Sequence, residues 1–155
     1  MKPMGPIPPF FQSEEGMLLI GGCGAASLVD EAGDMPLFVY DMGIVERQVR
    51  ALRDAMPSEL SIHYAVKANP HPALLERMAR LVDGFDVASG GEAARALEAG
   101  MDAAHVSFAG PGKRDDELIA AIDAGITLYL EAEGEGGSAA PPVRMSGPPG
   151  GHSPS

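Results

Sequence analysis

Lys67 ends the apolar, strand-like part of His63-Tyr64-Ala65-Val66-Lys67-Ala68-Asn69-Pro70. Lysine is seldom fully buried without a partner, so an amine in this setting asks for a reason. One reason is covalent: a lysine amine condenses with a carbonyl and holds it as a Schiff base. The plain alternative is an edge-strand lysine pointing at solvent. Further on, Phe85-Asp86-Val87-Ala88-Ser89-Gly90-Gly91-Glu92 sets an acid inside a second strand-like run. A carboxylate among Phe, Val and Ala needs a partner. The expected one is a cation, either Lys67 or an imine formed on it. Ser89 and Glu92 also have a structural explanation, because Ser-x-x-Glu is the pattern of a helix capping box.

Other motifs carry less. Phe108-Ala109-Gly110-Pro111-Gly112-Lys113 reads as a strand-to-helix loop and lacks P-loop spacing. Gly21-Gly22-Cys23-Gly24 fails the dinucleotide pattern. His63, His71, His105 and His152 show no metal-ligand spacing, and Cys23 is the single cysteine, so no metal site and no intrachain disulfide is expected. One thiol fits a reducing compartment.

Those residues must be positioned by the elements around them. Leu37-Phe38-Val39-Tyr40 reads as a strand with Asp41 as N-cap, followed by a helix carrying Ile44, Val45, Val49, Leu52 and Met56 on one face and ended by Pro57-Ser58. Residues 61–66 form a second strand, and Pro72 opens a helix with a Leu74, Leu75, Met78, Leu81 stripe. Strands at 85–88, 106–109 and 126–130 alternate with helices near 90–99 and 114–124, the last with Leu118, Ile119 and Ile122 inward. The helix ends Ala96-Leu97-Glu98-Ala99-Gly100-Met101 and Ala121-Ile122-Asp123-Ala124-Gly125-Ile126 lie 25 residues apart, each with glycine where a left-handed cap belongs. Alternation at that spacing implies an α/β fold, a parallel (β/α)8 TIM-type barrel. A complete barrel takes about 250 residues, so only roughly its first half is expected here.

Composition bounds the rest. The 155 residues are 45% hydrophobic and 21% charged, with a net charge of −11. That field repels phosphate backbones and no basic patch offsets it, which argues against nucleic acid as a partner. No run reaches the roughly 18 apolar residues of a membrane span. The proline-broken start is no secretory signal, so the cytoplasm is the expected location. Residues 1–13 read as a proline-rich lead-in and 36–133 as the barrel portion. In 134–155, Gly, Pro and Ser fill 15 of 22 positions, a composition expected to be disordered.

Taken together, Tyr64–Asn69, Phe85–Glu92 and Phe108–Lys113 resemble, in order and spacing, the fold-type III pyridoxal-phosphate decarboxylases that act on diaminopimelate, ornithine and arginine. The Ser-Gly-Gly-Glu variant and Pro36–Asp41 are most similar to the diaminopimelate branch. The Ala-Gly-Pro-Gly-Lys loop and proline-rich start resemble a subgroup associated with exosortase systems. The resemblance covers about residues 16–133. Alanine racemase shares the barrel and lysine, but its lysine precedes an Ala-Tyr-Gly stretch; small cofactor-homeostasis proteins lack the Phe-Asp-Val-Ala-Ser signature.

The resemblance implies pyridoxal 5'-phosphate as cofactor and an amino acid as substrate. Lys67 would be the catalytic, cofactor-bound lysine that returns a proton to the product carbanion. Asp86 and Glu92, with Ser89, would line the cofactor side of the barrel mouth. It also implies a homodimer whose second, β-rich domain completes the partner's site; residues 14–35 would pack on that domain, and Met17–Ile20 would join it and stand here without neighbours. The family's ring-stacking histidine, phosphate-binding glycine loop and pyridine-pairing acid have no counterpart in this sequence. The expectation is therefore a truncated or frameshifted decarboxylase, inactive alone and poorly soluble. The alternatives are a non-catalytic short paralogue docking on a full-length decarboxylase, and a small cofactor carrier or racemase-like protein.

Overall fold

The structure, a computed structural model, describes residues 10–33 and 36–130. The chain divides into two compact units, Met1–Leu60 and Ser61–Ser155. The tail expected at 134–155 and most of the lead-in lie outside the described residues.

The first unit begins with an antiparallel meander of β1 (Gln12–Glu14), β2 (Met17–Ile20) and β3 (Cys23–Gly24). Glu15 and Gly16 have φ of 48° and 79°, and Gly21 and Gly22 have φ of 61° and 81°. Two consecutive left-handed residues make the tight turns whose twist suits a two-residue hairpin. Gly21-Gly22, which reads in the sequence as a failed nucleotide motif, is thus a hairpin turn. The expectation that Met17–Ile20 has no neighbours is corrected: Leu19 pairs with both Gln12 and Gly24. Helix α1 (Ala25–Ala32) follows, then α2 (Met42–Ala55).

Asp41 caps α2 as expected, accepting from the Ile44 N–H at 3.1 Å; its second oxygen accepts from Gly21 N–H at 3.0 Å. One carboxylate so ties the β2–β3 turn to a helix start. Residues 37–40 are the second correction. They form no ladder, and Phe38 is 79% exposed. Apolar alternation marks a segment that suits a sheet, but a strand exists only when an edge pairs with it. The α2 stripe is looser than expected too, with Ile44 buried and Leu52 exposed.

The second unit is a four-stranded parallel sheet in the order β4 (His63–Ala65), β5 (Gly84–Val87), β6 (Val106–Phe108), β7 (Thr127–Leu128). Helices α3 (Pro72–Met78), α4 (Gly90–Glu98) and α5 (Asp115–Ala124) connect consecutive strands. Sequential strands paired in parallel through helices are successive staves of a (β/α)8 barrel, here a partial one. Val66, Leu75, Phe85, Val87, Val106 and Phe108 are fully buried. Each such side chain contributes about 1.5–3 kcal/mol by leaving water. Ile119, expected inward, is exposed, whereas Leu118 and Ala121 are buried.

The helix ends justify their glycines. Gly100 and Gly125 have φ of 88° and 81°. Met101 N–H bonds Ala96 O at 3.1 Å and Ile126 N–H bonds Ala121 O at 2.9 Å, with Gly100 and Gly125 closing the inner turns onto Leu97 and Ile122 at 3.0 Å. Both are Schellman caps, and in both the residue after glycine is buried and leads to the next strand. At the strand starts, Asp83 accepts Ile62 N–H at 2.7 Å and returns its own N–H to Ile62 O at 2.9 Å.

Two tests follow from this packing. A Cβ on Gly84 would overlap the His105 carbonyl oxygen and the His63 ring. Gly84→Ala is expected to destabilise the second unit by about 1–3 kcal/mol in urea unfolding; an unchanged midpoint contradicts the register described. Glu117 accepts from Gly90 N–H at 2.8 Å and from Arg114 N–H at 3.1 Å. These bonds, the Gly90 one foremost, with the Arg114 charge, hold its carboxyl below the ordinary glutamate range. The stabilisation is present above that ordinary range and is lost as pH falls through the lowered value. Melting curves over a pH series should show a shallower acid decline for Glu117→Gln than for wild type.

Candidate functional site

The strands of the second unit alternate, and the alternation sorts their chemistry. Phe85 and Val87 on β5 and Val106 and Phe108 on β6 are buried. The residues between them, Asp86 and Ser107, are polar. A parallel sheet covered on both faces reads as a continuous apolar run; this one does not, so its second face is built for something other than a helix. Register places Ala65, Asp86 and Ser107 in one row across the sheet, since Ala65 pairs with Asp86 and Asp86 with Ser107.

That row floors an open trough of about 660 Å³, lined on its polar side by Ser61, His63, Ala65, Asp86, Ser107 and Ala109. Tyr129 and Leu130 form its apolar margin beyond β7, and both are exposed. The volume lies within the range of small-molecule sites.

Asp86 is half-buried, and of the two cations expected beside it the Lys67 amine is not its partner among the described residues; a hydroxyl is. Ser107 Oγ donates to Asp86 Oδ1 at 3.0 Å. The hydroxyl compensates the acid because register sets the two side chains on the same face of adjacent strands. Ser107 is therefore a site residue that motif reading missed; its signal was a hydroxyl between Val106 and Phe108 in an otherwise apolar strand. His63, set aside because it lacked metal spacing, lines the same trough.

Lys67 stands at the carboxyl end of β4, but not as the last residue of a strand. Val66–Ala68 form a single 3-10 turn in which Val66 is fully buried and Lys67 exposed. Tyr64 Oη donates to Asn69 O at 3.2 Å across this turn. Asn69 Oδ1 accepts His71 N–H at 3.0 Å just beyond it. The Tyr64 ring meets Phe85 edge-on, with centroids 5.9 Å apart. A buried valine, a phenol and an amide side chain thus hold the backbone from which the amine projects. Lys67 is not in the trough lining; it stands beyond the end of the strand that contributes His63 and Ala65.

Ser89 and Glu92 occupy the β5–α4 junction, also outside the lining. Ser89 Oγ accepts Glu92 N–H at 3.2 Å. Glu92 Oε2 accepts Ala88 N–H at 2.8 Å, one residue earlier than in the standard capping box. Both side chains secure the helix start, and each keeps capacity for one further bond: the serine proton and the second glutamate oxygen. Lys113, in the β6–α5 loop, is buried; its Nζ donates to Gly110 O and lies 5.9 Å from the Phe108 ring centroid. Among the described residues no group of His, Cys, Asp and Glu is arranged to hold a metal.

Comparison with known proteins fits this geometry. Diaminopimelate decarboxylase of Aquifex aeolicus is 36% identical over 121 residues, 78% of this chain and 28% of that protein. The Pseudomonas aeruginosa diaminopimelate decarboxylase is 38% identical over 112 residues, 72% of this chain and 27% of its own length. Among solved structures, one from Aquifex aeolicus superposes with a TM-score of 0.73 at 34% identity, covering 80% of this chain and 30% of that one. A lysine/ornithine decarboxylase complexed with putrescine, from Vibrio vulnificus, gives 0.64 at 29% identity over 71% of this chain and 30% of its own. The chain spans less than a third of these relatives. The family described as pyridoxal-dependent decarboxylase, pyridoxal binding domain, matches residues 42–135. Since that match takes in more than half the chain, the protein belongs to the pyridoxal-dependent decarboxylases, through their pyridoxal-binding domain.

Proposed function

We propose that this chain carries the lysine-bearing portion of a pyridoxal 5'-phosphate-dependent carboxy-lyase acting on an amino acid of the diaminopimelate or ornithine class. The observation that carries the reading is the exposed amine of Lys67 on a braced turn beyond β4, with the Asp86 row beside that strand. The residues fit part of the cofactor. Lys67 offers a primary amine to an aldehyde, and Asp86 an anchored carboxylate to a cationic N–H. Among the described residues that line the trough there is no lysine or arginine to meet a phosphate.

When bound, the cofactor supplies a sink for the electron pair left as carbon dioxide departs. The residues of the chain do the rest. Lys67 Nζ would hold the cofactor's aldehyde carbon until the substrate amine displaces it, and the freed amine would return a proton to the carbon that lost its carboxyl group. Asp86 balances positive charge in the trough. Ser89, with its remaining hydroxyl proton, and Glu92, with its free oxygen, serve as cofactor-side donor and acceptor while capping α4. Among the described residues no helix is long and apolar enough to cross a membrane.

With no lysine or arginine among the described lining residues, the chain by itself is expected to hold the cofactor weakly and not to turn over. A second reading, a non-catalytic cofactor-binding or regulatory paralogue docking on a full-length decarboxylase, is favoured by the exposed Tyr129 and Leu130 at the trough margin.

Borohydride reduction in the presence of pyridoxal 5'-phosphate should fix a pyridoxyl adduct on Lys67, mapped by peptide mass spectrometry and absent in Lys67→Ala. An adduct spread over surface lysines, unchanged by that substitution, sinks the proposal. Carbon dioxide release from meso-diaminopimelate or ornithine by the purified chain would overturn its assignment as inactive alone. Co-purification with an intact decarboxylase favours the second reading; its absence in a fully folded preparation removes it.

A further inference from the structure

We propose that Ser107 is a positioning residue: its hydroxyl holds Asp86 in one rotamer, so that a single carboxylate oxygen is presented to a cationic N–H donor in the trough. The ligand part rests on the cofactor reading above; the positioning part does not. Ser107 is 9% exposed, in a strand whose other residues are apolar. Its Oγ lies 3.0 Å from Asp86 Oδ1 and 3.3 Å from Phe85 O. A serine hydroxyl has one proton, so it serves one acceptor at a time.

The carboxylate is the stronger acceptor and takes that proton. When Asp86 turns away, the Phe85 carbonyl receives it, and the serine proton is left satisfied in either state. Among the described residues no other group donates to the Asp86 carboxylate. Removing the hydroxyl therefore leaves the acid without a fixed direction. The serine takes one lone pair of Oδ1, so Oδ2 is the less occupied oxygen and the favoured acceptor for a further cationic N–H.

The first measurement is free of cofactor. Three-bond couplings across χ1 of Asp86 in isotopically labelled chain should report one rotamer in wild type and Ser107→Thr, and averaging in Ser107→Ala. If Ser107→Ala does not fold by circular dichroism, Ser107→Cys, whose thiol is a weak donor, is read in its place. The second is cofactor retention, followed by borohydride trapping over a pyridoxal 5'-phosphate titration. Ser107→Ala should raise the half-saturating concentration about tenfold, the scale of one hydrogen bond to a charged group, and Ser107→Thr should restore it. In an Asp86→Asn background the serine substitution should have no further effect.

An unchanged single Asp86 rotamer in Ser107→Ala overturns the positioning role. A Ser107→Ala effect of full size in the Asp86→Asn background also overturns it. A wild-type chain that traps no cofactor, with Asp86 still freed by Ser107→Ala, overturns the ligand part and keeps the positioning role.

Discussion

The two-residue period of the parallel strands is the constraint on which the second unit depends. Phe85, Val87, Val106 and Phe108 must leave water together, so they share one face and are buried against the rest of the unit. Their neighbours are then forced to the other face whatever their polarity. Asp86 and Ser107 do not stand there because they attract each other; the apolar residues on either side leave them nowhere else to go. The ladder register sets them side by side, and a hydrogen bond converts an unfavourable half-buried acid into a fixed one. A one-residue slip of β6 would bring Asp86 opposite an apolar side chain and lose both.

The same period ends at Ala65. Past it, the chain switches to a 3-10 turn, and Val66 and Lys67 cease to obey the strand's alternation. The turn gives the amine a different aim from that of the strand side chains before it, while Val66 remains packed. Tyr64 is the economical element: its ring packs on Phe85 and its hydroxyl spans the turn to Asn69. Anchoring the turn through its backbone leaves the exposed amine free to turn, as the role proposed for Lys67 requires.

Much of this was legible from residue types because it is local. Asp41 as N-cap, Ser89 with Glu92 at a helix start, Pro72 opening a helix and glycine at the helix stops each depend on residues within one turn. The resemblance carried by Tyr64–Asn69, Phe85–Glu92 and Phe108–Lys113 pointed to the family that the match over residues 42–135 establishes. What was not legible depends on pairing at long range. Residues 37–40 have strand-like composition, but no ladder holds them. Met17–Ile20 finds its neighbours through tight turns at Glu15-Gly16 and Gly21-Gly22 that fold the chain back on itself. The hydroxyl beside Asp86 is set by cross-strand register, which residue types alone do not display.

The matched Schellman caps at Gly100 and Gly125 carry a consequence for how such a chain changes over time. Each helix brings its own terminator, and each terminator hands a buried apolar residue to the strand that follows. A strand, its helix and its stop therefore form a self-contained increment, bounded without instructions from the rest of the molecule. Lengthening or shortening by whole increments keeps every helix with its stop, while a cut inside one strands a helix without it. Architectures of this kind are expected to vary in discrete steps rather than residue by residue.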